Sequence, residues 1–370
     1  MYNNAMNINK NISRREFLKL SGLTAGALMI PWHKAEAAPI SQEWAVGANL
    51  GRVSAGEYRS FIPLKTEPNV NAPDSTLVWR DDVLEINHEV VANQLDFNQY
   101  RQRWYETPAG YIMSKHVQPV KNLPNQPVST LPSDEQGLPG MWVEITVPKL
   151  DFELTKSWSQ ASSWIRDSDG LAKLYYSQVY WVSDIRQANG RTEYLLSERF
   201  GALPDSFWVD ARACRPITKE EIAPIHPDVG DKKVLVNLEY QTLRCFEGNR
   251  EVYFCEVSTG WKRDGKFMTP PGSTPVWRKL VSLHMSAGGV YQYDLPGVAW
   301  TTIFHSEGQA IHSAYWHNDF TNPLTHGCVN CLPNDAKWVW RWMNPVVDLL
   351  PGELTVSNSS QSTFVQVVES

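Results

Sequence analysis

Long apolar runs are missing from this sequence. The longest candidate, Leu20 to Trp32, holds 13 residues and is interrupted by Ser21, Gly22, Thr24 and Gly26, whereas a membrane-spanning helix needs about 18 or more. An excess of positive charge is missing too. The 34 Lys and Arg against 40 Asp and Glu leave a net charge of −6, a poor match for nucleic acid or anionic lipid. Cysteine is scarce, and the five present (Cys214, Cys245, Cys255, Cys328 and Cys331) are an odd number. That excludes a fully paired disulfide framework and leaves at least one free thiol. What remains is 42% hydrophobic and 20% charged over 370 residues, the composition of a folded soluble chain with two or three domains.

Residues 1–37 read as an export signal. Ser13-Arg14-Arg15-Glu16-Phe17-Leu18-Lys19 is a twin-arginine signature, the short apolar stretch follows, and Ala35-Glu36-Ala37 offers a small-x-small cleavage site. The expectation is an exported protein, in the periplasm or cell wall, with no membrane insertion after cleavage. The signal holds five basic and two acidic residues, so its removal takes the net charge from −6 to −9.

The remainder divides by texture. Residues 45–122 alternate short apolar runs with turn residues, as in Thr76-Leu77-Val78-Trp79, Val83-Leu84-Glu85-Ile86 and Trp104 to Ile112. A proline-rich linker, 123–140, separates them from a second β-rich stretch, 141–226, containing Val179-Tyr180-Trp181-Val182, Gly190 to Leu196 and Phe207 to Ala211. Each stretch ends in an aromatic strand and an extended segment reaching a proline (Val117-Gln118-Pro119, Cys214-Arg215-Pro216). Both resemble bacterial SH3-like barrels attached to cell-wall enzymes, which implies either a wall-binding module or a spacer. Lys219 to Pro227 reads as a short helical turn and a joint. A third unit, 230–356, opens with a strand and a hairpin around Gly248-Asn249. The two-residue loop places Cys245 opposite Val252 and turns Cys255 to the other face, so no bridge between these cysteines is expected. Asn334 can cap a helix running from Ala336 to Met343, with Trp338 and Trp342 on one face. Residues 357–370 read as a tail. The fold class is thus mainly β: two small SH3-like barrels, then a β-rich catalytic domain with one or two short helices.

The chemistry is concentrated in Thr325-His326-Gly327-Cys328-Val329-Asn330, with His312 sixteen residues before the cysteine. A thiolate is the reactive form of cysteine, and an imidazole that takes its proton makes it available near neutral pH. The bland reading of a lone cysteine is a small buried hydrophobe. Cys328-Val329-Asn330-Cys331 also permits a redox pair or half of a zinc site with His312, His317 or His326, but no βαβ pattern surrounds it and the histidine spacing is irregular. His284, His305 and His317 read as structural or peripheral, with a place in the cleft wall open to each.

Residues 232–355 resemble the catalytic domain of YkuD-type L,D-transpeptidases, the peptidoglycan cross-linking enzymes. The resemblance rests on His312, Thr325-His326-Gly327-Cys328, Val329 and Asn330, on Ser258-Thr259-Gly260, and on Thr269-Pro270-Pro271-Gly272, while His284-Met285, Tyr293 to Trp300 and Tyr315-Trp316-His317-Asn318 resemble the strands and lid around the family's cleft. It implies that Cys328 is the nucleophile of a thioester acyl-enzyme, that His312 is its base, and that the Ser313 carbonyl orients the imidazole. Gly327 and Cys328 then offer oxyanion-hole amides, with His326 in the same loop. Thr325, Asn330, Tyr315, Trp316 and Met285 frame the substrate. The implied partners are peptidoglycan stem peptides, with an amine acceptor (3-3 cross-linking) or water (L,D-carboxypeptidase activity), and carbapenem-type β-lactams as acylating inhibitors. No metal or organic cofactor is required. Position 331 departs from the family pattern: Cys331 is inert, inhibitory through a disulfide with Cys328, or a ligand.

Overall fold

A computed structural model describes residues 44–54, 60–93, 102–133, 137–201, 205–288, 293–358 and 361–369. The expected export signal lies outside the described residues. The chain is mainly β, as its alternating patterns require, with α-helices only at Ser163–Arg166 and Pro333–Trp342 among the described residues.

The first unit holds a three-stranded sheet, with Leu50–Val53 between Val83–Glu85 and Val117–Val120, and a five-stranded sheet. Val53, Leu64, Val78, Tyr105, Ile112 and Val117 fill the space between them. The second unit is built on a six-stranded antiparallel sheet. Both units close in the same way, with a strand, a 3-10 turn and a strand: Gly110–Met113, Ser114–His116, Val117–Val120 in the first, and Ser206–Asp210, Ala211–Ala213, Cys214–Pro216 in the second. This is the weak repeat seen in the sequence. The linker lies against the second unit, where the Val128 amide donates to Tyr194 Oη at 2.6 Å. Residues 219–222 form turns without a helix.

Strands of the second unit face two cores. In Met141–Ile145, Met141, Val143 and Ile145 enter the unit's own core, while Trp142 enters the core of the third unit. Val179–Ala188 repeats the pattern, with Tyr180 and Val182 inward and Val179 and Trp181 toward the third unit. A period of two, buried on both faces, explains why these strands read as unbroken apolar runs.

The third unit packs two five-stranded sheets around the helix Pro333–Trp342. One sheet has the order Arg250–Glu256, Thr242–Glu247, Lys232–Asn237, Phe364–Val368, Gly272–Pro275. Its Phe364–Val368 strand comes from the segment expected as a tail. It pairs parallel with Lys232–Asn237, with Val365 and Val367 buried. The hairpin carries a bulge between Cys245 and Phe246, so Cys245 lies opposite Tyr253 and not Val252. The extra residue rotates the strand, and Cys245 and Cys255 are both buried in one core. The helix starts at Pro333 with Leu332 as its N-cap, two residues before the expected Asn334 cap. Its C-terminal carbonyls are held by the buried Lys279 ammonium, which donates to Trp340, Met343 and Pro345 at 2.7, 2.6 and 2.8 Å.

Candidate active site

The second sheet of the third unit, ordered Val329–Cys331, Ala310–Ser313, Tyr293–Ile303, Arg278–Ala287, Glu353–Thr355, brings the candidate residues together. Ala310–Ser313 and Val329–Cys331 run parallel, with His312 beside Asn330 and Ser313 beside Cys331. Cys328 is two residues before Asn330, so the pleat places Cys328, Asn330 and His312 on one face. All three line a cavity of about 350 Å³. Cys331, at odd spacing from Cys328, points the other way. It is fully buried in the core and its thiol is hydrogen-bonded with Cys255. The C-x-x-C sulfurs therefore do not converge, and among the described residues no three His, Cys, Asp or Glu groups cluster as metal ligands.

His312 is 2% exposed. Its Nδ1–H donates to the Ser313 carbonyl at 2.9 Å, which leaves the lone pair on Nε2. The Trp316 ring lies 5.7 Å from the imidazole, tilted by 35°. Burial pushes the His312 pKa down to about 4, opposed by the Ser313 carbonyl. Burial pushes the half-buried Cys328 thiol up to about 11, opposed by a main-chain hydrogen bond at Ala310. Burial thus favours the neutral thiol and the neutral imidazole. This differs from a thiolate preformed at neutral pH.

The loop before Cys328 is stapled from both ends. Thr325 Oγ1 accepts from the Gly327 amide at 3.0 Å and donates to the Cys328 carbonyl at 2.6 Å. Buried Thr269 accepts from the Gly260 amide and donates to the Gly327 carbonyl, at 2.8 and 2.9 Å. The Thr325 amide and carbonyl pair with Thr259 and Trp261. Gly327 has φ +134°, and a Cβ there would sit 2.8 Å from the Met268 carbonyl, so no other residue fits. Its amide is engaged by Thr325, so the expected oxyanion role narrows to the Cys328 amide. The His326 ring lies between Trp261 (4.5 Å, edge-on) and Tyr293 (5.5 Å, stacked) on the cavity wall.

Met285, Trp316, Thr325 and Asn330 line the cavity as expected from the sequence, but Tyr315 does not. Tyr315 is buried, its ring stacked 6.0 Å from Tyr175. His317, read as peripheral, does line the cavity, with Nε2 2.9 Å from the Asn330 side-chain amide. The Asp319 amide donates to His317 Nδ1, so Nε2 carries the proton and its natural partner is the carboxamide oxygen of Asn330. Tyr293, Leu295, Glu307 and Gln309 complete the wall. Tyr293 and Leu295 belong to the stretch expected around the cleft, whereas Glu307 and Gln309 carry no motif of their own.

Behind Met285 and Tyr293 lies a buried ion cluster. His284 Nδ1 meets Glu198 Oε2 at 2.6 Å, and Nε2 meets Asp294 Oδ1. Asp294 also accepts from the Ser163 hydroxyl and Trp164 amide, and Glu198 from the Gly297 amide at 3.1 Å. Although burial opposes it, the two carboxylates raise the His284 pKa to about 10. The cluster thus ties the second unit to two strands that wall the cavity.

Residues 231–356 match the family model of the YkuD L,D-transpeptidase catalytic domain and form such a domain. Among solved structures the chain is similar to the Ldtfm-avibactam carbamoyl enzyme (22% identity, covering 39% of this chain and 51% of that one, TM-score 0.30). It is also similar to a cysteine-to-serine mutant of the Enterococcus faecium L,D-transpeptidase (21% identity, 39% and 52% covered, TM-score 0.29). A third is an LD transpeptidase in complex with imipenem (15% identity, 50% and 98% covered, TM-score 0.29). The chain spans about half the length of the first two. No curated protein matches it.

Proposed function

We propose that this protein is an exported L,D-transpeptidase that forms 3-3 cross-links between peptidoglycan stem peptides through a Cys328 thioester. The observation that carries the reading is the pairing of Cys328 with His312 on one face of adjacent strands, with the imidazole tautomer set by the Ser313 carbonyl.

The Cys328 sulfur attacks the carbonyl carbon of the donor peptide bond as His312 Nε2 takes the thiol proton. The tetrahedral oxyanion meets the Cys328 amide, a donor of a kind worth roughly 2.7–4 kcal/mol. Collapse breaks the C–N bond, and the imidazolium returns its proton to the departing terminal D-alanine amine. The acceptor's side-chain amine then attacks the thioester, His312 removes its proton, and the sulfur leaves to be reprotonated. Water in place of the amine gives the L,D-carboxypeptidase reaction. A zinc or redox role for the C-x-x-C has no support, because its two sulfurs lie on opposite faces.

Carbapenem-type β-lactams acylate the same sulfur. Intact-mass measurement after carbapenem treatment is expected to show one adduct on the wild type and none on Cys328→Ala. An adduct that survives Cys328→Ala refutes the assignment.

A further inference from the structure

A spacer needs no buried contact with the active site, yet the first unit makes two. Arg52, on strand Leu50–Val53, is 0% exposed. Its Nη1 pairs with Asp81 at 2.6 Å, Nε and Nη2 donate to Gln118 Oε1 at 3.2 and 2.8 Å, and the guanidinium lies 4.0 Å from the Tyr175 ring centre. Nη2 also donates to the Tyr315 carbonyl at 2.5 Å. Tyr175 Oη donates to Asp81 at 3.0 Å. One side chain therefore joins all three units, and it does so from three separate nitrogens of a planar fork, a geometry that a single ammonium nitrogen does not reproduce.

The segment it holds follows the catalytic base. Tyr315 is three residues after His312, and Trp316 both lines the cavity and packs on the imidazole. Three residues further on, buried Asn318 donates through Nδ2 to the Ser114 and Val117 carbonyls of the first unit, both at 2.9 Å. Residues 315–318 are thus pinned at both ends by the first unit, while their middle walls the cavity. Burying a charged group is costly unless it is fully partnered, and here one of the partners is the active-site segment itself.

We propose that Arg52 is a positioning residue for acyl transfer: by holding the Tyr315 carbonyl it keeps Trp316 packed on His312 and water away from the imidazole. The inference rests on the function proposed above. The titratable groups sharing the His312 cavity are Cys328 on the next strand, Glu307, Tyr293, His317 and His326.

The test is the pH dependence of carbapenem acylation, followed by mass, in the full-length protein, in Arg52→Lys and in Asn318→Ala. Arg52→Lys keeps the charge but loses the fork. Asn318→Ala loosens the same segment without touching a buried charge, so it decides the question if Arg52→Lys does not fold. In folded variants we expect acylation to slow about tenfold and its acid limb to move to higher pH, because a hydrated His312 returns toward the ordinary imidazole value. Wild-type rates and an unmoved acid limb in folded variants overturn the proposal. Cys328→Ala is run in parallel. If it is silent while the other variants behave as wild type, only the positioning role fails. If it is acylated, the functional reading itself fails.

Discussion

His312 and His284 lie on strands of one sheet and are almost equally buried, yet their pKa values are driven in opposite directions. His312 meets a carbonyl and an indole, and desolvation keeps it neutral. His284 meets two carboxylates, which overcome the same desolvation and keep it protonated. Burial alone therefore does not set the role of a histidine; its partners do. The first is suited to accept a proton from Cys328, whereas the second is occupied at both nitrogens and joins two units.

Exchanging each histidine for glutamine is expected to separate these roles most sharply. His312→Gln lowers carbapenem acylation by at least about 10²-fold, the usual contribution of a general base, with little change in unfolding free energy. His284→Gln leaves Glu198 and Asp294 as uncompensated buried carboxylates. Its main effect is a loss of about 3–5 kcal/mol in denaturant unfolding. If His312→Gln proved the more destabilising and His284→Gln the more damaging to acylation per folded molecule, the comparison would be inverted.

The same pair tilts the stability curve in opposite directions. His284 binds its proton more tightly folded than unfolded, so its contribution is complete below the ordinary value near 6.5 and is lost as pH rises toward 10. His312 binds its proton less tightly folded, so stability is lost as pH falls from about 6.5 toward 4. Each slope reaches at most roughly 1.4 kcal/mol per pH unit. Unfolding free energies measured across this range should show the acid-side loss reduced in His312→Gln and the alkaline-side loss reduced in His284→Gln. Unchanged slopes in both variants would show that neither proton is held as described.

The residues around His312 were legible in the sequence, though not its lowered pKa, and those around His284 were not. His312 and the Ser313 carbonyl lie in one short strand, Asn330 lies in the next and Cys328 immediately precedes it, so a period of two fixes the faces. His284 acquires its charge from Glu198 and Asp294, 86 and 10 residues away, and no local pattern specifies that meeting. The same holds for Arg52 and Tyr315, 263 residues apart, and for Thr269 beneath Gly327. The unbroken run Val179-Tyr180-Trp181-Val182 announced burial but not that its alternate residues serve two cores. The hairpin register was missed for a different reason: one bulge at Cys245 moves the residues beyond it by one position. In Phe364–Val368 the signal was present, since apolar Val365 and Val367 alternate with Gln366, but its position at the chain end disguised a central strand.

Cys331 gives the smallest and most discriminating comparison, because it shares a sequence motif with Cys328. Its register with Ser313 turns it into the core beside Cys255, and its thiol pKa is driven well above the ordinary value, first by the hydrogen bond with Cys255 and then by burial. A thiol kept protonated and dry is a poor nucleophile and a poor disulfide partner. Cys331→Ser is therefore expected to acylate at a rate within about twofold of wild type, and a reductant should change neither protein. Placing a hydroxyl in that apolar core should still cost about 1–3 kcal/mol of unfolding free energy. If the reductant instead activates the wild type but not Cys331→Ser, the two sulfurs reach each other across the strand, and the separation of faces that singles out Cys328 as the nucleophile is wrong.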